Sequence, residues 1–260
     1  MQYGKLYGVG VGTGSPDLMT LRAVQVLQSV DVIVIPNSSK YLRSVAWRIA
    51  GPAVGPAPEN QERLNLLFPM TKDPEIIGPA WATALEEIGQ RLEGGKSVAF
   101  ITEGDPMFFS TYIYLHREAQ ARWPGIEVEV VPAVSSYTAV PSVIGSPKAD
   151  GQERVAVVPA SYGLEDLPAI FALFDTVLLM KVSSIMPELV DILEREGLLE
   201  RAVYVSKATM EGQKIITDLK SIKNDKCDKC DYFSMVMVKR GKRSGVLFGE
   251  SKAGEALATS

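Results

Sequence analysis

Histidine and cysteine are scarce in this chain of 260 residues, which holds one His and two Cys. One imidazole cannot build a multi-His metal site or several His-based acid/base sites. Two cysteines, Cys227 and Cys230, are too few for a disulfide framework. They form a lone CxxC among charges, whereas a zinc site asks for a second pair and a redox dithiol opens a helix after a strand. A surface loop is the expectation. His116 stands between Leu115 and Arg117 in a helical stretch, and the chain has neither H-E-x-x-H nor G-x-S-x-G, so a structural role is expected for it. Long apolar runs are missing too. The uncharged stretch from Val130 to Pro147 is broken by Pro132 and Pro141, so no membrane span is expected. No basic and apolar leader pattern opens the chain, which points to the cytoplasm. Excess positive charge is absent: 27 Lys and Arg face 31 Asp and Glu, a net −4, which argues against nucleic-acid binding. Chemistry here must lean on other groups or on a cofactor, and no metal site is expected.

What is present is ordinary for a globular protein: 46% hydrophobic and 22% charged residues. The length suits one large α/β domain or two smaller ones. Lys5 to Val11 reads as a buried strand followed by the Gly-rich loop from Gly12 to Asp17. Leu21, Ala23, Val24, Val26 and Leu27 repeat at helical spacing. Val32 to Ile35 is a buried strand stopped by Pro36 and Asn37; Tyr41 to Ala50 reads as a helix and Gly51 to Pro58 as a Pro-rich loop. Ile77, Ala80, Trp81, Ala84, Leu85, Ile88 and Leu92 mark the clearest helix, closed at Gly94 and Gly95. Val98 to Ile101 and Val128 to Val131 are strands with a helix, Ser110 to Ala121, between them. This alternation predicts a parallel sheet, whose ligands bind at the carboxyl ends of its strands. The stretch Pro132 to Pro147 reads as the boundary, giving domains of 1–132 and 133–260. Beyond it, strands at 155–158, 176–180 and 202–205 alternate with helices at 165–174 and 184–196. Further strands at 212–217, 234–238 and 246–248 lack crossover helices, which predicts a mixed sheet with antiparallel edge strands. The segment from Lys220 to Asp231 reads as a charged surface loop.

Gly8, Gly10, Gly12 and Gly14 recur at two-residue spacing, which does not fit G-x-G-x-x-G. The second strand also lacks the acidic residue that a dinucleotide site needs. The glycines still imply close backbone approach, to a ligand or to another strand. Glu103-Gly104-Asp105-Pro106 ends a predicted parallel strand, where a ligand is expected, although its composition also suits a plain turn. Ser135, Ser136, Tyr137 and Thr138 open a helix, where hydroxyls and free N–H groups either cap it or hold a polar ligand. Gly95-Lys96-Ser97 resembles a P-loop ending, but Gln90 replaces the required Gly and a strand follows rather than precedes it.

These motifs in this order resemble the tetrapyrrole methylase family. The matching stretches are Gly8 to Ala23, then Glu103 to Pro106, then Pro132 to Ser136; Ala133 stands where the family usually carries Gly. The resemblance spans essentially the whole chain. It implies two α/β domains with a cleft, S-adenosylmethionine as methyl donor and S-adenosylhomocysteine as product. It also implies a tetrapyrrole substrate and a homodimer. Glu103 to Leu115 resembles the branch that methylates carbon 20 of precorrin-2 or cobalt-factor II. Uroporphyrinogen-III methyltransferase and diphthine synthase remain alternatives, and a nucleotide-dependent oxidoreductase is an alternative of another class. Carried over by position, the resemblance places Pro16, Gly104, Asp105, Met107, Ser135, Ser136, Met180, Lys181 and Ala208 around the donor. The substrate carries many carboxylates while the protein is net acidic, so basic residues must gather locally. Arg22, Lys40, Arg43 and Lys207, near predicted strand ends, are the candidates, against a plain reading as solvated surface charge.

Overall fold

The computed structural model describes residues 3–39, 41, 43–71, 73–223 and 230–241. The chain divides between Ser135 and Ser136 into two compact units. The first holds β1 (Leu6–Gly10), α1 (Leu21–Ser29), β2 (Val32–Asn37), α2 (Val45–Val54), β3 (Glu62–Leu67), α3 (Pro74–Glu93), β4 (Val98–Thr102), α4 (Tyr112–Arg122) and β5 (Val128–Val131). Its strands run in the order β3-β2-β4-β1-β5, and every pairing is parallel. Central strands of a parallel sheet are covered on both faces, and β4 is buried from Val98 to Thr102. One face packs Val32, Val34 and Phe100 against Leu85, Ile88 and Leu115 of α3 and α4. Strand alternation turns Ile33, Ile35, Ala99 and Ile101 to the other face, which α2 covers.

Two expectations about local structure fail here. Strand β2 runs on through Pro36 and Asn37. Its pairing to β4 ends at Val34↔Phe100, while pairing to β3 continues to Asn37↔Leu67, so proline stands where β2 has only one neighbour. Helix α2 starts later and reaches through Gly51 and Pro52 to Val54. Ser44 Oγ caps it by accepting from Trp47 N at 3.3 Å, and Gly55, at φ 80°, ends it. The sequence pattern did not single out β3. It is an edge strand in which only Leu66 is fully buried and Leu64 and Leu66 alternate with Arg63 and Asn65, which weakens its apolar signal.

The second unit holds α5 (Ser136–Val143), β6 (Val155–Pro159), α6 (Leu167–Leu173), β7 (Thr176–Met180), α7 (Met186–Arg195), β8 (Ala202–Ser206), β9 (Lys214–Ile216), α8 (Lys220–Lys223) and β10 (Ser234–Lys239). The order is β6-β7-β10-β8-β9, with β6 and β7 parallel and the other pairs antiparallel. The sheet is mixed as expected, but β10 sits at its centre rather than its edge. Its run Ser-Met-Val-Met-Val is buried throughout, which only an inner strand allows. One face packs Val177, Leu179, Tyr204 and Val236 against α6 and α7. The other packs Leu178, Val205, Met235 and Met237 with Val140 of α5. The expected strand at 246–248, Cys227 and the chain end lie outside the described residues.

Candidate functional site

The carboxyl edge of the first sheet gathers the motif loops. After β1, Val11 N donates to Thr102 O at 2.9 Å, and Gly104 N donates to Gly12 O at 2.8 Å, so Gly12 and Gly104 form a one-residue antiparallel bridge. A Cβ on Gly10 would lie 2.6 Å from Gly104 O and 2.6 Å from Ala133 Cβ. Only glycine lets the three loops approach this closely. Asp105 ties the loops from the other side. Its Oδ1 accepts from Met107 N at 2.9 Å and its Oδ2 from Ala133 N at 3.1 Å. Its carboxylate therefore shapes the loop. Gly104 has φ +64°, and a Cβ there would meet nothing within 4 Å, so its backbone faces open space. Pro16 opens a short 3-10 turn to Leu18, Met107 is half-exposed, and Ser135 is buried. Thr102 and Ser110 share a buried hydroxyl contact of 2.9 Å, and Ser110 Oγ accepts from Tyr112 N, which fixes the start of α4.

At the ends of β2 and β3, on the α2 face, lies a cavity of about 690 Å³. Ile35 and Asn37 of β2, Asn65, Leu66 and Leu67 of β3, and Ser39, Tyr41, Arg43, Ser44 and Trp47 line it. It presents one guanidinium, two amides and hydroxyls among apolar walls. Below it, the Arg63 guanidinium stacks on the Trp47 ring at 4.4 Å. The nitrogens of Arg63 are buried and make no hydrogen bond among the described residues, and burial lowers its pKa.

Glu103 joins the end of β4 to Gly104, which bridges to Gly12. It follows β4, and alternation from Ala99 and Ile101 puts it on the α2 face. Burial pushes its pKa up to about 7, and the charge of Arg48 on α2 acts in the opposite direction.

The other predicted residues divide. Arg43 lines the cavity, while Lys40 lies outside the described residues. Arg22 pairs with Glu129, its Nε 2.8 Å and its Nη2 2.7 Å from Glu129 Oε1. Lys5 and Arg22 together hold the Glu129 carboxyl below its ordinary range. In the second unit, Ser136 opens α5, and Met180 ends β7 opposite Met235 and Pro159. Lys181 has φ +57° and its Nζ lies 5.0 Å over the Tyr162 ring. Lys207 has φ +49° and pairs with Asp231 at 3.0 Å; Ala208 is buried against Leu178 and Val205; Thr209 has φ +66°. Left-handed backbone costs a non-glycine residue about 1–2 kcal/mol, and such strain clusters where structure serves function. Among the described residues four have such backbone; Lys181 is itself a position expected at the donor, and Lys207 and Thr209 flank Ala208, another. His116 is spanned on α4 by Tyr112 Oη at 3.5 Å and Gln120 Nε2 at 3.3 Å. Among the described residues, no group of His, Cys, Asp and Glu could hold a metal ion.

Residues 5–223 match the family model described as Tetrapyrrole (Corrin/Porphyrin) Methylases. The chain belongs to the tetrapyrrole methylase family. That membership replaces the oxidoreductase alternative. A relative in Methanocaldococcus jannaschii, named probable cobalt-precorrin-2 C(20)-methyltransferase, is 35% identical over 92% of this chain and 97% of its own. The cobalt-precorrin-2 C(20)-methyltransferase of Salmonella typhimurium is 32% identical over 91% of this chain and 97% of its own. The precorrin-2 C(20)-methyltransferase of a Sinorhizobium species is 30% identical over 90% and 95%. Among solved structures, a cobalt precorrin-4 methyltransferase superposes with a TM-score of 0.67 at 21% identity, covering 90% of this chain and 94% of its own. The uroporphyrin-III C-methyltransferase of Thermus thermophilus, complexed with S-adenosylhomocysteine, gives 0.61 at 22%, covering 91% and 92%. Both carry the methylase fold.

Sequence reasoning missed Asn65, Trp47 and Arg63, and it left Glu103 without a role. Strand-end position could have marked Asn37 and Glu103, because both stand at carboxyl ends of parallel strands. No local signal marks β3, so none pointed to Asn65 or Arg63.

Proposed function

We propose that this methylase transfers the methyl group of S-adenosylmethionine to carbon 20 of precorrin-2 or its cobalt form, in cobalamin biosynthesis. The observation that carries the reaction class is the convergence of three motif loops on the open backbone at Gly104. The near full-length relatives named as C(20)-methyltransferases support the position on the ring. The site fits the donor. A positive-φ glycine with nothing above it offers backbone groups and room, where a side chain would fill the space. Pro16, Gly104, Met107 and Ser135 contact the donor in this reading, with Asp105 holding the loop's shape. In the second unit, Ser136, Met180, Lys181 and Ala208 are assigned to it as well.

The donor supplies an electrophilic methyl on a sulfonium, and its leaving group departs neutral, so no oxyanion hole is needed. The chain's task is alignment, an effect of up to ~7–11 kcal/mol in favourable cases. The cavity at the ends of β2 and β3 takes the tetrapyrrole edge. Arg43 meets a substrate carboxylate and Asn37 and Asn65 supply amide hydrogen bonds. Lys40 is assigned to the same task. Arg22 and Lys207 already hold acidic partners, so each would have to exchange a carboxylate of the protein for one of the substrate.

No helix among the described residues is long and apolar enough to cross a membrane. A cytoplasmic homodimer completes the reading, and sedimentation equilibrium tests the dimer. The test of the activity is incubation with each tetrapyrrole and donor, with the product's methyl position read by NMR. Methylation elsewhere on the ring overturns the C20 reading.

A further inference from the structure

We propose that Glu103 is the catalytic base that removes the C20 proton from the tetrapyrrole. This rests on the C20-methylation reading and adds to it the group that completes the reaction.

The chemistry requires such a group. A bond forms between C20 and the methyl carbon, using π electrons of the macrocycle. The methyl carbon–sulfur bond breaks, and its electron pair stays on sulfur. C20 then carries both the new methyl group and its original hydrogen. Conjugation returns when the C20–H bond breaks, its pair goes back to the ring, and the proton passes to a base. The carboxylate of Glu103 takes that proton and later releases it to solvent. No oxidant or reductant is needed.

Placement singles out Glu103. Its neighbour Gly104 bridges to Gly12 in the donor loops. Its own side lies on the α2 face, the face that carries the cavity lined by Ile35, Asn37 and Arg43. The methyl arrives on the ring face turned to the donor, so the C20–H that must break turns toward the other face or the rim. Its base must therefore stand on the cavity side of the donor loops rather than between donor and ring. The other carboxylates of these loops are committed. Asp105 accepts from two backbone N–H groups, and Asp17 accepts from Ser15 Oγ. Glu103 makes no hydrogen bond or ion pair among the described residues. A structural carboxylate half-buried at this depth is normally paired. Among the described residues, the charged groups on its face are Arg48 on α2, which favours ionisation, Arg43, which lines the cavity, and Arg63 on β3, which stacks on Trp47. Burial opposes ionisation more strongly and places its titration near neutrality, where a general base works best.

The test compares wild type, E103Q and E103D in single-turnover methyl transfer to precorrin-2, with donor and tetrapyrrole affinities measured by calorimetry. E103Q should slow product formation by about 10²-fold or more, while both affinities hold within about threefold. E103D should recover part of the rate. The wild-type rate should fall as pH drops through about 7, and E103Q should lose that dependence. An E103Q rate within about threefold of wild type overturns the proposal, as does a loss matched by lost donor affinity. Wild-type protein that binds donor but leaves C20 unmethylated overturns the functional reading itself, and this proposal with it.

Discussion

Glu103 should cost the fold stability at neutral pH, and the cost can be worked out. Its pKa is raised from an ordinary 4.5 to about 7 because burial disfavours its charge. At about 1.4 kcal/mol for each pKa unit, ionised Glu103 costs the native state about 3 kcal/mol. The sign follows from proton binding. Between pH 4.5 and 7 the native protein holds this proton more tightly than the unfolded chain, so stability falls as pH rises through that window. Below 4.5 both states hold the proton and the cost vanishes. The substitution E103Q keeps the shape and removes the charge. It should stabilise the protein by about 3 kcal/mol at pH 8 and by less than about 1 kcal/mol at pH 5. With a urea slope of about 1–3 kcal/mol/M, the pH 8 midpoint should rise by about 1 M or more. Trp47, Trp81 and Trp123, the only tryptophans, all lie in the first unit, so their fluorescence reports the unit that holds Glu103. Equal midpoints for E103Q and wild type at pH 8, or a gain that is the same at pH 5, would refute the assigned burial. A stabilised variant that is also slow would show a group kept for chemistry at the expense of stability.

Three further outcomes follow from the same geometry. Gly104→Val places a β-branched residue at φ +64°, in the space facing the loops. It should weaken S-adenosylmethionine binding by about tenfold or more; unchanged affinity by calorimetry refutes the assignment. Arg43→Glu should lower tetrapyrrole affinity by about tenfold and leave donor affinity intact, because Arg43 lines the cavity assigned to the substrate carboxylates, and Lys40→Glu should do the same if its assignment to that task holds. Equal tetrapyrrole affinity in titration contradicts that role. Gly10→Ala should destabilise the first unit by about 1–3 kcal/mol. Adding Ala133→Gly should not restore it, since Gly104 O still lies 2.6 Å from the new methyl; full recovery in the double variant would show that the loops yield.

Where strands and helices bury continuous or strongly periodic apolar faces, the sequence was a sufficient guide. β1, β4, β5 and α3 fall where their patterns put them. The errors arise where pairing overrides local signals. Pro36 reads as a stop, yet it sits in β2 because β3 continues the sheet beside it. Pro52 reads as loop, yet α2 carries it in its last turn. β3 is a pairing product whose exposed edge and polar residues hide it from periodicity. The site shows the same division. Motif loops are contiguous in sequence, so the loop that holds Gly104, Asp105 and Met107 was legible as a candidate. The cavity is assembled from β2, β3 and α2, and its Asn65 and Trp47 meet only in three dimensions. Asp105 illustrates a subtler limit: its place in the loop was legible, but its tie to Ala133 N, 28 residues away, was not. The scarcity of histidine fits the proposed reaction. A reaction whose reactive group arrives on the donor needs alignment and one base, and a half-buried glutamate can supply the base.

The most direct measurement of the central claim uses donor with a 13C-labelled methyl group. Wild-type protein is incubated with precorrin-2, with and without cobalt, and the product is examined by NMR. One new methyl signal, coupled to C20, is expected from at least one of the two tetrapyrroles. Label appearing on another ring carbon, or remaining entirely on the donor with both tetrapyrroles, contradicts the claim.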